Sequence, residues 1–245
     1  MRMNRSENID FCIRYLMEQN EATAVMPKRL QDKKQLLRAL MNVWRPQPLS
    51  IDFLKAQDEE LQMQLRDKGV VRTRERLWQG DITRLKVDAI VNAAGPRGLG
   101  CWNPLHPCID NDIHSAAGLQ LRMECDKILQ GDTIATGGAI VTPGYNLPAK
   151  WVIHTVGPVI EGDKPTAGQE EQLAGCYRTC LWLAQQHNCH SIAFCCISTG
   201  DFHFPNRRAA EIAINACRES RIRVIFNVYK DIDYEIYKEL LRLRW

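Results

Sequence analysis

The spacing of apolar residues changes once along this chain, near residue 70. Before that point Leu36, Leu37, Leu40, Met41 and Trp44 recur at steps of three and four, and Phe53, Leu54, Leu61 and Leu65 follow more loosely. That is the period of a helix burying one face. The helical text covers residues 8–68 in two segments broken by Pro46 and Pro48. Ser50 reads as the N-cap of the second segment, with Asp52 in its first turn and Gly69 at its end. Residues 1–70 are therefore expected to form a helical extension packed on the body at 71–245, not an independent enzyme.

Beyond residue 70 short β-branched runs take over, at 89–91, 139–141, 151–154, 192–197 and 223–228, with a further short strand at 76–78. Helical stretches at 108–129, 168–187, 206–220 and 232–243 lie between or after them. Alternation of this kind predicts an α/β fold with a mixed, mostly parallel sheet covered on both faces. Ligands of such sheets bind beyond the carboxyl ends of the strands. Two candidate site loops fall there, residues 92–108 and residues 198–201.

At 245 residues the chain fits one large domain or one domain with an appendage. No apolar run approaches the roughly 20 residues that span a bilayer, and no apolar segment follows the basic N-terminus as in a secretory signal. Ten cysteines in such a chain point to reduced thiols and a cytoplasmic setting, without a membrane partner. The net charge of +3 is uneven: residues 1–74 carry 14 basic and 10 acidic side chains. No basic stripe or aromatic platform supports a nucleic-acid partner.

The run Cys101-Trp-Asn-Pro-Leu-His106-Pro-Cys108 holds two thiols and an imidazole within eight residues. Those are ligand types that Zn²⁺ prefers, and three protein ligands with an open position is the catalytic arrangement. A chance cluster of reduced thiols is the plainer alternative, and Cys125 or His114 downstream could close a four-ligand site. Ser198-Thr199-Gly200 is either an ordinary strand-end turn or an anion loop whose small residues let backbone N–H groups reach a phosphate. Phe202 and Phe204 beside it are either core or stacking residues. Asp81, in Gly80-Asp81-Ile82-Thr83, is a surface turn acid or an acceptor for an adenine amino group. Asp110 is an acid at a helix N-terminus, or one that orients a ribose or a water. His154, on an apolar strand, reads as a core histidine.

Taken in order, Gly80-Asp-Ile-Thr83, Asp88-Ala-Ile-Val-Asn-Ala-Ala94, Ile113-His-Ser-Ala-Ala-Gly118, Gly137 to Gly144, His154-Thr-Val-Gly-Pro158 and Ser198-Thr-Gly200 resemble the motifs of the macrodomains. Those are three-layer α/β/α modules that bind ADP-ribose. The Cys101, His106, Cys108 insert and the run Ser198 to Pro205 resemble the zinc-dependent, MacroD-like branch, microbial protein-ADP-ribose hydrolases with a helical N-terminal extension. The resemblance implies that Asp81 and Ile82 contact the adenine, and that Ser198, Thr199, Gly200, Asp201 and Phe202 surround the diphosphate and distal ribose. It implies that Cys101, His106 and Cys108 hold Zn²⁺ near that ribose, with Ile109, Asp110 and Asn92 lining the same end. The expected reaction is zinc-dependent removal of mono-ADP-ribose from Asp or Glu esters. The implied partners are ADP-ribosylated proteins, including a lipoyl-carrier protein modified by a sirtuin-type transferase. One departure bears on the rate. Where the family reads Asn-Ala-Ala-Asn, this chain has Asn92-Ala-Ala-Gly95, which offers only backbone at the fourth position. A non-catalytic ADP-ribose reader and a hydrolase of small derivatives such as O-acetyl-ADP-ribose are the competing expectations.

Overall fold

In the computed structural model, which describes residues 3–162 and 164–244, three helices come first: α1 (Arg5–Gln19), α2 (Leu30–Val43) and α3 (Ile51–Lys68). Asn4 and Glu7 close a capping box on α1, and the Ser50 hydroxyl accepts from Phe53 N–H at the start of α3. The first helical segment of the sequence is thus two helices rather than one. Glu21 takes a left-handed backbone (φ 50°), and Pro27 biases its predecessor away from helix, so residues 20–29 turn the chain back. The three helices share an apolar cluster that includes Ile9, Ile13, Leu16, Leu37, Trp44 and Phe53, all 1% exposed or less. Leu119, from the body, joins that cluster.

The body runs β1 (Leu77–Gln79), β2 (Ala89–Ala93), α4 (Ile109–Ala117), α5 (Leu119–Leu129), β3 (Ala139–Pro143), β4 (Trp151–Thr155), α6 (Ala167–Gln186), β5 (Ser191–Phe194), α7 (Asn206–Cys217), β6 (Arg223–Val228) and α8 (Asp231–Arg244). The six strands lie in the order β1-β6-β5-β2-β4-β3, parallel throughout except that β3 runs antiparallel to β4. The expected mixed, mostly parallel sheet with helices on both sides is what forms. β2 and β5, at its centre, are buried along nearly their whole length, which is why they read as unbroken apolar runs.

Two of the differences from the sequence reading bear on the site. The stretch 108–129 splits into α4 and α5 at Gly118, whose φ of +98° is outside the helical range. A Cβ there would meet the Gln57 amide of α3 at 2.8 Å, and Gln57 Oε1 accepts the Leu119 N–H that opens α5. The fifth strand stops at Phe194, so residues 195–204 are loop. The loops after β1, β2, β4, β5 and β6 all leave the same edge of the sheet. Among the described residues no helix is long and apolar enough to cross a membrane.

Candidate active site

Asn92, near the end of β2, is fully buried and donates through Nδ2 to Asp110 Oδ1 at 2.7 Å and to His154 Nδ1 at 3.1 Å. Both amide hydrogens are thereby used. His154 Nδ1 must accept, which leaves the proton on Nε2, facing Thr142 Oγ1 at 3.0 Å. Burial lowers His154 to about 3, so the ring is neutral and serves as the core histidine expected. Asp110 sits in the first turn of α4, 8% exposed, and also accepts from the Gly95 backbone N–H. Burial raises its carboxyl to about 6, against the pull of Asn92, Arg122 and that amide. Asn92 Oδ1 is buried without a partner among the described residues, an acceptor held ready for a hydroxyl or a water.

The loop from β2 to α4 brings Cys101, His106 and Cys108 together, each half-buried, with their ligand atoms within 4.8 Å of one another. His106 Nδ1 is buried and has no partner among the described residues. Cys108 is the N-cap of α4, its sulfur accepting from Asn111 N–H at 3.5 Å. Burial pushes that thiol up to about 12, with Cys101 and Asp110 adding to the rise against the Asn111 amide. Two thiols and an orphaned imidazole nitrogen at this spacing fit a Zn²⁺ ion, whose charge favours thiolate. The four-ligand alternative does not form. His114 and Cys125 group instead with His154, all three buried.

The loop after β5 is held in a strained turn. Ser198 has a φ of +64°, and Phe204 N–H donates back to Ser198 O at 2.9 Å. Thr199 Oγ1 closes on Cys196 O at 3.0 Å, and Ile160 N–H donates to Phe202 O, tying this loop to the one after β4. Ser198 Oγ is buried without a partner among the described residues. Gly200 and Asp201 are exposed at the tip, and Phe202 is half-buried; Phe204 is 1% exposed and belongs to the core. Asp81 follows β1 and caps a short 3-10 turn (Ile82–Arg84), accepting from Thr83 N–H and Oγ, while its other oxygen meets Lys68 Nζ of α3 at 3.0 Å. Burial raises this carboxyl, but Thr83 and Lys68 outweigh it and hold it below the usual range. Ile82 is buried.

The sequence-derived candidates therefore lie at one sheet edge, in three groups. Asn92 at the end of β2, with Gly95, Cys101, His106, Cys108, Ile109 and Asp110 of the following loop and the first turn of α4, forms one; residues 198–202 follow the neighbouring strand β5, and Asp81 with Ile82 follows the edge strand β1. Three residues escaped the sequence reading. Tyr229, 77% exposed, follows β6 directly, beside the Gly80 N–H that donates to Val228 O. Arg122 and Asn42 are 2% and 1% exposed. Arg122 and Asn42 are polar residues inside helical apolar patterns, and that mismatch was the available signal.

The Macro domain family profile matches residues 91–213. A "Protein-ADP-ribose hydrolase" from Treponema medium is 43% identical over an alignment of 261 positions, gaps included, which covers 98% of this chain and 100% of that protein. Another, from Staphylococcus aureus strain MSSA476, is 46% identical over 231 residues, 88% of this chain and 87% of that one. Among solved structures, the Oceanobacillus iheyensis macrodomain with ADP is 36% identical with a TM-score of 0.61, covering 68% of this chain and 89% of that chain. The Trypanosoma brucei macrodomain in complex with ADP-ribose is 29% identical with a TM-score of 0.62, covering 83% and 94%.

Proposed function

The chain belongs to the Macro domain family, and from that premise we propose that it is a protein-ADP-ribose hydrolase. The bond in question joins the distal ribose to an Asp or Glu carboxylate of a modified protein. Water adds, the ester divides, and ADP-ribose and a free carboxyl group leave. The observation that carries this reading is the convergence, at one sheet edge, of a strained anion loop, a buried Asn92–Asp110 pair and a three-ligand cluster. Relatives at 43% and 46% identity that bear the hydrolase name support the same chemistry.

In this account the adenosine end enters past Asp81, whose carboxylate accepts from the adenine amino group in place of the half-exposed Lys68. Tyr229 supplies an exposed ring at the same end for stacking. The loop 198–202 takes the diphosphate on its backbone N–H groups, which places the distal ribose over the loop after β2. Asn92 and Asp110, locked by their mutual bond and by His154, orient a ribose hydroxyl and the incoming water. Cys101, His106 and Cys108 would hold the Zn²⁺ ion. When bound, that ion would polarise an ester or ribose oxygen. The family resemblance makes a modified lipoyl-carrier protein the proposed acceptor.

Gly95 favours a second reading, that of an ADP-ribose reader, because it presents only an N–H where the family motif has an amide side chain. Release of ADP-ribose by the unaltered chain separates the two, and Cys108→Ala tests the metal cluster. A hydrolase of this design loses turnover and keeps ADP-ribose affinity within about tenfold. Unchanged turnover would remove the metal cluster from the reaction, and joint loss of affinity and fold would make it structural.

A further inference from the structure

Helix α2 reaches into the loop that carries the three ligands. Asn42, its last residue but one, is 1% exposed and bonded in three directions. Its Oδ1 accepts from Leu105 N–H at 3.0 Å, its Nδ2 donates to Ser115 Oγ at 3.0 Å, and its carbonyl accepts from Arg122 Nη1 at 3.0 Å. Leu105 is the residue before His106. It takes a left-handed backbone, φ 59°, that a residue with a Cβ rarely adopts. Pro104 and the His106 N–H that donates to Asn103 O at 3.2 Å close the turn locally, but the acceptor that fixes the Leu105 peptide comes from 63 residues upstream.

Two further ties run in parallel. Arg122 donates to the carbonyls of Met41, Asn42 and Trp44 at the end of α2, and its guanidinium lies 4.4 Å from the centroid of the Trp102 ring. Arg38 donates to Asn111 Oδ1, and Asn111 Nδ2 donates to Asn103 O. Trp102, Asn103 and Leu105, all between Cys101 and His106, are each fastened to α2 directly or through one side chain.

We propose that Asn42 is a positioning residue for the Cys101, His106, Cys108 set, so that the helical extension forms part of the metal site rather than an appendage. The proposal rests on the metal reading above. Hydrogen bonds that orient the ligands of a metal site typically change its affinity by 10- to 100-fold when removed.

The test is zinc release from the full chain against increasing chelator, below the melting transition of every variant. Asn42→Ala is compared with Asn20→Ala, which removes a bond to Leu40 O inside the same helical packing without touching the loop. The expected result is that the unaltered chain and Asn20→Ala hold zinc alike, while Asn42→Ala releases it at least tenfold more readily. Asn42→Asp, which keeps an oxygen facing Leu105, is expected to restore retention. Equal retention by Asn42→Ala, or equal loss from both alanine variants, overturns the proposal. An unaltered chain that takes up no zinc overturns the metal reading itself, and this proposal with it. Amide exchange at Leu105 in the unaltered, zinc-free chain needs no variant: protection of at least a hundredfold is expected, and free exchange contradicts the brace.

Discussion

Asn92 Nδ2 stands 2.7 Å from Asp110 Oδ1, joining the end of β2 to the first turn of α4, with both side chains buried. The pair, together with the Gly95 backbone N–H, fixes the position of that carboxylate. Asn92→Ala removes the donor that Asp110 and His154 share. Turnover is expected to fall about a hundredfold, equivalent to about 2.7 kcal/mol of barrier. The buried carboxylate, left with the Gly95 N–H as its donor, is also expected to cost about 2 kcal/mol of stability. Single-turnover release and a thermal melt measure the two separately, and an unchanged rate would count against the role given to Asp110.

Gly95 is not required by the backbone. A Cβ built there meets nothing within 4 Å, and its φ lies outside the left-handed region. Gly95→Asn is therefore expected to fold as well as the parent, and to keep the backbone N–H that Asp110 accepts. If the amide contributes one bond to the transition state, release rises by about tenfold. A rate that stays flat would show that the glycine is no defect.

The approach of the β4 and β5 loops is tight at Gly157. A Cβ there would lie 2.0 Å from Ser198 Oγ and 2.8 Å from Ile197 Cγ2. Gly157→Ala must push the strained Ser198 turn aside. ADP-ribose affinity is expected to drop at least tenfold, or about 1.4 kcal/mol, and calorimetric titration reads it. Retained affinity would mean that the turn at Ser198 does not set the diphosphate contact.

Asp88 lies at the opposite end of the sheet, where it ties β2 to β4 and β5. It accepts from Lys150 Nζ at 2.7 Å, from His190 N–H at 2.9 Å and from Ser191 N–H and Oγ, both at 3.1 Å. Burial raises this carboxyl, but Lys150, His190 and Ser191 together hold it below the usual range. A carboxylate whose folded-state pKa is depressed contributes stability above its unfolded value, near 3.9, and loses it as pH falls through the folded value. Asp88→Ala is expected to cost about 2 kcal/mol at neutral pH, a fall of about 4–8 °C in melting temperature. The difference from the parent should shrink below about pH 4. A gap that persists at lower pH would point to lost packing instead of a lost charge.

Much of this was legible in the chain. The runs at 89–91, 139–141 and 223–228 are β-branched and bounded by polar or glycine-rich text, so local chemistry and tertiary burial agree on strand. The ligand loop was visible because its three donors lie within eight residues and can meet without distant help. The break at Gly118 was not, because glycine in a helical stretch is ambiguous until Gln57 is seen to occupy the space where a side chain would go. Asn42 and Arg122 were missed for a different reason. Periodicity marks which face of a helix is buried, but it does not say that a polar residue on that face meets a loop 63 residues away. The spatial relation of Asp81 to the loop after β5 likewise depends on β6 being inserted between β1 and β5, an order that spacing along the chain does not contain.

The most direct test is release of ADP-ribose from a carboxyl-modified protein by the purified chain, with and without a zinc chelator. Release that the chelator stops and added zinc restores is the expected result. No release from a chain that binds both zinc and ADP-ribose would contradict hydrolysis and leave a reader; release indifferent to the chelator would keep the hydrolase and discard the metal.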